Sequence, residues 1–495
     1  MNPRLLPLAT TLGLASIATA QLPAPSLPFH RTFDVLVFDS TSSGTPPTIS
    51  DNVYRLTDWN QDGDYLDPGE QLLYYDDLAN GDRLSTVTGM ACSDKGVAYA
   101  CDSSTDIVLA LRDLNYDGDA NDPGESTVFF DSASNASGIA MISATSILVD
   151  TQGRVWVLSG NSGSTPTVVG DCIIKLEDLN GDGDANDLGE ASYYFEVPGS
   201  AASLPVSLTT RFALGPDGAF YYGDITTTTT KRIYRVIDAN NDGMADQFEY
   251  GLWWAPASFT TSPAWYGMAF DLTGELLVAN HGGGSSSTKT IHRAFDWNGS
   301  GAIDPGAPEE SQAFTWTGGS ATFWDLQRTD DGSFLLMDGI LDGIYRLRDL
   351  TFDGDFDDVG EFTTAFDDAA VGLSLDVRSM AILRAPTMDM SPSTIQLGQT
   401  TNFVVQTVKP FDLVVTGASL GFITPFSLPP YGYLEIDPTT LILFGSGLAD
   451  AQGQFVSPLT FSTDPSLVGS YGATSLSGDF YRLYLSNGAP FTVTP

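Results

Sequence analysis

A thirteen-residue string, DLNYDGDANDPGE at 113–125, returns almost unchanged as DLNGDGDANDLGE at 178–190. Looser copies begin at 58, 238, 296 and 349. Aligned on their first Asp (Asp58, Asp113, Asp178, Asp238, Asp296, Asp349), the copies are 55, 65, 60, 58 and 53 residues apart. A regular recurrence on this scale marks a repeat architecture, in which each copy is one supersecondary unit that buries its apolar face only against its neighbours.

The flanks of each copy define the unit. Before it stands a short run with strand character: VYRL (53–56), VLAL (108–111), IIKL (173–176), IYRV (233–236), IHRA (291–294) and IYRL (344–347). After it comes an aromatic run: LLYY (72–75), TVFF (127–130), SYYF (192–195), YGLWW (250–254), QAFTW (312–316) and TTAF (363–366). β-Branched and aromatic enrichment between turn residues reads as strands. Between acidic copies lies a second hairpin with a Gly turn, for example GMACSDKGVAYACD (89–102) and GMAFDLTGELLVAN (267–280). Each unit therefore holds four strands, A to D, with the acidic segment as the C–D loop.

Six such units predict an all-β chain whose first part is a six-bladed β-propeller. The ends fit ring closure: FDVLVFD (33–39) is a B strand with no A strand before it, and SMAIL (379–383) is an A strand with no B strand after it. Together they complete one blade and remove the open sheet edges. The alternative, an open solenoid, leaves the split terminal strands unexplained. The propeller is expected over 21–385. Beyond it the acidic repeat stops, and alternating segments such as TNFVVQTV and YRLYLS predict a C-terminal antiparallel β-sandwich over 386–495. Residues 1–20 read as a cleaved export signal, with Arg4, an apolar stretch from Leu5 to Ala18, and Ala18-Thr19-Ala20 before Gln21. The apolar stretch is too short for a membrane span.

Charge narrows the partners. With 62 acidic and 21 basic residues the net charge is −41, which excludes nucleic acid and anionic membranes as natural partners. Metal cations and salt adaptation remain. Within a loop, positions 1, 3 and 5 are Asp58, Asn60 and Asp62; Asp113, Asn115 and Asp117; Asp178, Asn180 and Asp182; Asp238, Asn240 and Asp242. Position 6 is Gly in all six. Alternating oxygen ligands followed by a Gly that allows a sharp turn resemble the front half of an EF-hand or dockerin calcium loop. The back half departs from that pattern. Acidic residues fall at positions 10 and 13 as Asp67 and Glu70, Asp122 and Glu125, Asp187 and Glu190, Asp358 and Glu361, whereas the fourth loop closes with Glu249 at position 12. The sixth loop offers Asp349 and Asp353 with Thr351 between them, and the fifth has Ser300 at position 5 and is expected to be weak.

The loops hold 28 of the 62 carboxylates. Two like charges at 4 Å cost about 1 kcal/mol even in water, so several such pairs in a tight turn favour a bound divalent cation. Several structural Ca²⁺ ions, one per well-formed loop, are the expectation. Arg55, Lys175, Arg235, Arg293 and Arg346 stand three residues before the loop Asp and read as partners of the acidic loops.

In a four-stranded meander the A–B and C–D turns share one face. The D–A and B–C turns share the other. On that second face the B strands end in Asp39, Asp102, Asp224, Asn280 and Asp338, which either ring the channel or cap turns, capping being favoured. His281, Trp265, Tyr266 and Trp324 are near it. Cys92, Cys101 and Cys172 are too few for a disulfide framework; Cys101 with Cys172 is a conceivable link.

The blade pattern, G-hydrophobic-A, then D-x-x-G-x-hydrophobic-hydrophobic, then IYRL, resembles NHL-type and gluconolactonase or sugar-dehydrogenase-like six-bladed propellers over residues 33–383. The resemblance implies a channel that hosts a metal or cofactor in some members. No G-x-S-x-G, H-E-x-x-H or phosphate loop is present. The expected function is therefore a secreted, calcium-stabilised propeller in extracellular or cell-surface binding of protein or glycan. The alternative is a secreted lactonase- or esterase-like hydrolase or sugar oxidoreductase using the face opposite the acidic loops.

Overall fold

The computed structural model describes the chain except for residues 1–32, 41–50, 59–61, 82, 94–95, 115–117, 161–170, 197–208, 225–231, 247, 256–264, 272, 281–288, 305–307, 319–320, 330–331, 384–386, 392–393, 407–412, 420–421, 429–431, 437–441, 450–453, 479–482, 486–488 and 495. The export signal, Asn60, Asn115, Asp117 and His281 lie outside the described residues.

Strands β1 (Asp34–Asp39) to β24 (Val377–Leu383) form six four-stranded antiparallel sheets. Five are continuous meanders: β4–β7 (Val87–Asp131), β8–β11 (Ala144–Glu196), β12–β15 (Thr209–Trp254), β16–β19 (Trp265–Trp316) and β20–β23 (Phe323–Asp367). The remaining sheet has the order β24-β1-β2-β3, where β2 is Asn52–Leu56 and β3 is Gln71–Asp76. Its innermost strand comes from the far end of the chain, with Leu36 opposite Ala381. This is the split blade that the orphan terminal strands predict, and it makes the protein a closed six-bladed β-propeller.

Each B strand carries apolar side chains on both faces and is buried along its length, as in AYACD (98–102) and FLLMD (334–338). It has to be, because blades stack face to face. The buried apolar residues of the ring fall into six clusters, one per blade junction. Leu36, Tyr75, Ala100 and Leu109 fill the first junction; Val37, Met337, Ile344 and Phe366 fill the closing one.

The A–B hairpins turn on Gly at positive φ, such as Gly153 at 83° and Gly218 at 78°, a conformation that side chains disfavour. A different constraint acts at Gly267 in the innermost strand β16: a Cβ there would lie 2.6 Å from the Leu326 amide nitrogen of the next blade.

Residues 387–494 hold β25 (Thr387–Ser391), β26 (Thr394–Gln396), β27 (Thr400–Gln406), β28 (Leu413–Ser419), β29 (Phe422–Leu428), β30 (Gly432–Ile436), β31 (Ile442–Leu448), β32 (Gln454–Thr460), β33 (Gly469–Gly478), β34 (Leu483–Leu485) and β35 (Ala489–Thr494). They form a three-stranded sheet β25-β27-β32, a six-stranded sheet built on β26-β35-β33-β28-β31, and a hairpin β29-β30. Ile395, Phe403, Val405, Val414, Ala473 and Val493, drawn from both larger sheets, share one core. No helix among the described residues is long and apolar enough to cross a membrane.

The closing blade carries a titratable contact. Asp342, at φ 47°, accepts from the Val377 amide at the start of β24 at 3.1 Å. Burial pushes its carboxyl up to about 6, with Asp368 and Asp376 adding to the rise. A carboxyl whose pKa is higher folded than unfolded favours the folded state when protonated, so its contribution is lost as pH rises through the interval from about 4 to 6. Asp342→Asn, which tolerates positive φ, is expected to flatten the stability difference between pH 4 and pH 7 relative to the parent. Urea melts at both pH values check this; parallel pH profiles for parent and variant contradict it.

Candidate metal centres

The acidic loops fold by one hydrogen-bond scheme, although their lengths differ. The position-1 carboxylate accepts from the position-6 glycine amide in every copy: Gly63 to Asp58 (3.0 Å), Gly118 to Asp113 (2.9 Å), Gly183 to Asp178 (2.9 Å), Gly243 to Asp238 (2.8 Å), Gly301 to Asp296 (2.7 Å) and Gly354 to Asp349 (3.0 Å). Asx turns then step along the loop. In the third, Asn180 accepts from Asp182 N, Asp182 from Asp184 N, and Asp184 from Asn186 N.

A buried glutamate closes the loop. Glu190 Oε1 accepts from the Leu179 and Asn180 amides, and Oε2 from the Asp187 amide. Glu70, Glu125, Glu190, Glu309 and Glu361 are all at most 4% exposed. Glu249 makes the same bonds, to Ala239, Asn240 and Asp246. Its place at position 12 is thus a one-residue shortening of the shared scheme. Glu309 is the closing residue of the fifth loop, accepting from Asn298 and Asp304. An insertion between Asp304 and Glu309 hides it from a reading by spacing; the only clue is the acidic pair Glu309-Glu310 at the head of the next strand.

The scheme presents one amide outward. At position 8 the backbone N–H crosses to the preceding blade and donates to a strand-D carbonyl. The bonds are Tyr65 to Ala365 (2.7 Å), Ala120 to Tyr74 (2.7 Å), Ala185 to Phe129 (2.7 Å), Ala245 to Tyr194 (2.7 Å), Ile303 to Trp253 (2.6 Å) and Phe356 to Ala313 (2.8 Å). Each acceptor is the residue skipped by a β-bulge in its C–D ladder: Val53 pairs Tyr75 and Tyr54 pairs Leu73, leaving Tyr74, and the same holds in the other five blades. A bulge leaves a residue outside the ladder, and the next blade's loop takes up its carbonyl.

Among the described residues, carboxylates converge in two loops. Oxygens of Asp182, Asp184 and Glu190 lie within 4.8 Å of one another, as do those of Asp349, Asp353 and Glu361. Asp184, at position 7, is a member that the front-half pattern does not single out. Asp178, Asn180, Asp187 and Asp358 stand outside these groups. Asn180 turns its amide nitrogen to Asp182 (3.0 Å) and Asp187 (2.7 Å). In the first loop burial raises the Asp64 carboxyl, and Asp62 and Asp67 add to the rise. An all-oxygen anionic donor set suits Ca²⁺ and not the softer transition metals.

The basic residues of strand C behave differently from the expectation. Arg55 pairs with Asp34 (2.5 Å), Lys175 with Glu177 (3.1 Å), Arg235 with Asp217 (2.7 Å) and Arg293 with Glu275 (3.4 Å), none of them a loop ligand. Arg55, Arg293 and Arg346 also reach the next blade. There Arg55 Nη1 meets the Gly118 carbonyl (3.5 Å) and Arg346 Nη1 the Gly63 carbonyl (3.3 Å), so contact with the acidic loops runs through position-6 backbone.

The opposite face is occupied by structural work. Asp102 accepts from four amides, Ser85, Thr86, Ser104 and Thr105. Asp338 accepts from Thr322, Ile340 and Leu341, Asp39 from Asp376, and Ser159 from Ile142. Asp102 and Asp338 cap turns, as the sequence favours, whereas Asp39 ties β1 to the segment that enters β24. Tyr266 and Trp324 sit in the innermost strands, with ring centroids 5.1 Å apart and Arg378 over the Trp324 ring. His292 is buried against Thr290, and burial pushes its pKa down to about 4. The three cysteines are free, so the Cys101–Cys172 link is absent.

A cavity of about 450 Å³ is lined by the innermost strands from their midpoints to the A–B turns. Arg211 and Asp325 meet in it, Nε to Oδ1 at 4.0 Å. Burial raises the Asp325 carboxyl and Arg211 opposes the rise. Arg211 also donates to the Thr145 carbonyl.

The chain matches no family model and no curated protein. Solved structures similar to it include PorZ, a bacterial surface component of the type-IX secretion system of Porphyromonas gingivalis, at 11% identity over 90% of this chain with TM-score 0.36. The chain spans 56% of that protein's length. A putative 6-phosphogluconolactonase from Bacteroides fragilis is 12% identical over 72% of this chain and 99% of its own, with TM-score 0.42. Regucalcin, a calcium-binding protein from Agrobacterium tumefaciens, is 13% identical over 71% of this chain and 92% of its own, with TM-score 0.34. At these identities and scores the likeness carries no argument about activity.

The closing glutamates should matter whether or not metal is present. Glu190→Gln and Glu309→Gln each turn an acceptor into a donor facing a backbone N–H, which costs about 1–3 kcal/mol. Chemical denaturation in EDTA is expected to show a loss of that size for both. A Glu190→Gln variant as stable as the parent in EDTA would falsify the capping role.

Proposed function

We propose that this is a secreted, calcium-stabilised propeller whose role is extracellular or cell-surface binding of protein or glycan, with structural Ca²⁺ ions in the acidic loops. The observation that supports the calcium reading is the contrast between the fifth loop and its sisters. The fifth loop makes the same Gly301–Asp296 bond, the same glutamate closure and the same cross-blade bond with Ser300 and Ala302 at positions 5 and 7. The clasp therefore does not require carboxylates at those positions. Yet the third loop places Asp182 and Asp184 there beside Glu190, and the sixth places Asp353 beside Asp349 and Glu361. In the fifth loop Ser300 serves the Asx-type turn as well as Asp182 does in the third, so the turn does not require the charge; carboxylates held close enough to repel are what a hard divalent cation offsets.

Residues that would hold the ions are those at positions 1, 3, 5, 10 and 13 of loops one to three, Asp349, Asp353, Asp358 and Glu361 of the sixth, and Asp238, Asn240, Asp242 and Glu249 of the fourth, with position 7 added where it is Asp. The bound cation would supply charge neutralisation and a rigid oxygen cage, with no part in turnover. The hydrolase or oxidoreductase alternative draws less support: both carboxylate oxygens of Asp102 accept from backbone amides, three amides converge on Asp338 Oδ1, and the Arg211–Asp325 pair lies on the side of the A–B turns. Export rests on the pattern of residues 1–20, and mature protein is expected to begin at Gln21.

Calcium at 100 times its dissociation constant adds about 2.7 kcal/mol per site. Melting in millimolar Ca²⁺ against EDTA is expected to show a large upward shift, and native mass spectrometry to show several bound ions. Asp182→Asn with Asp184→Asn should remove one ion and part of the shift, with little change of the melt in EDTA. Superimposable melts in calcium and in EDTA would retire the proposal.

A further inference from the structure

The six cross-blade bonds carry a pattern in side-chain size, and from it we infer that position 8 and the bulge residue form a key and slot that dictate which blade closes the ring. In the first three junctions the loop residue is small and the bulge residue aromatic: Ala120 on Tyr74, Ala185 on Phe129, Ala245 on Tyr194. In the last two the order is reversed: Phe356 on Ala313 and Tyr65 on Ala365. The junction between them joins Ile303 to Trp253. All twelve residues are at most 7% exposed, and each pair lies within one core cluster. A junction thus receives one large side chain and one small one, except where polarity switches.

Close-packed interiors resist both a second large group and a void. Tyr65 opens the chain's first loop and has to find the last blade. A bulge of Ala, the slot that accepts it, exists only in blades five and six. The aromatic bulges of blades one to four exclude it, so the first blade does not close onto an early neighbour, or onto the equivalent surface of another chain. That matters because repeat proteins fail characteristically by misassembly and swapping between similar units. Tyr65 is further held by its hydroxyl, which donates to the Phe33 carbonyl at 3.2 Å, and by Arg346 on the Gly63 carbonyl. The device uses packing and backbone bonds and does not depend on metal.

The test is a size-swap cycle on the full chain in EDTA, read as melting temperature and as the monomer fraction after refolding from urea. Tyr65→Ala, which leaves a void, and Ala365→Tyr, which overfills the slot, are each expected to lower the melting temperature and raise the oligomer fraction. Tyr65→Ala combined with Ala365→Tyr recreates the polarity of the first junctions and is expected to recover at least half of both losses. Phe356→Ala with Ala313→Phe provides a second cycle should either Tyr65 variant fail to fold. Losses that simply add in the double variants overturn the inference. So does a Tyr65→Ala chain that melts lower yet refolds wholly to monomer, since that is a stability role without selection of the closing blade.

Discussion

A bulge carbonyl in one blade accepts a loop amide from the next, and this bond recurs six times without exception. Its importance follows from what each partner lacks. The bulged residue has no partner within its own sheet, and a buried backbone carbonyl left unpaired is costly. The loop amide lies outside any ladder. Joining them satisfies both and fixes the angular relation of adjacent blades, something apolar packing alone specifies loosely. The acidic loop is thus the outer seam of the ring, and the strand pairing of β1 with β24 is its inner seam.

The loop's carboxylates then have two separable duties. Position 1 and the closing glutamate fold the backbone so that the position-8 amide points outward, and these are present in every copy. Positions 5 and 7 vary from Asp to Ser, Met or Ala without loss of the cross-blade bond. Sequence repetition alone runs these duties together, because both write Asp. The fifth loop separates them: Ser300 and Ala302 stand at positions 5 and 7, and a fully formed clasp is kept there.

Much of the ring was legible because its determinants are local. Period, strand runs, Gly turns and the orphan end strands each report on neighbouring residues, and together they specify six blades and a split closing sheet. The seam was not legible, since a bulge is a matter of register and its acceptor belongs to another repeat some fifty residues away. Glu309 was missed because spacing carried the closing-residue assignment and an insertion broke the spacing. Strand-C arginines sit next to acidic loops in sequence, but Arg55, Arg235 and Arg293 pair with carboxylates outside those loops, and Arg55 and Arg346 reach the following blade's loop through the Gly118 and Gly63 carbonyls. Arg211 and Asp325, 114 positions apart, had no motif to announce them; only the ring brings their strands around a common axis.

The distribution of charge completes the picture. On the face of the B–C turns, Asp102 is used by four backbone amides. On the face of the A–B and C–D turns, carboxylates exceed the amides that need them. A chain that wanted only turns would use Asn there, as Asn180 and Asn240 do when they accept from the Asp182 and Asp242 amides. Choosing Asp where Asn serves sets a repulsion around the ring that grows as the blades come together. The packing of the junctions withstands it, and a bound cation would relieve it, which would tie the electrostatic state of the loops to the closure of the ring they clasp.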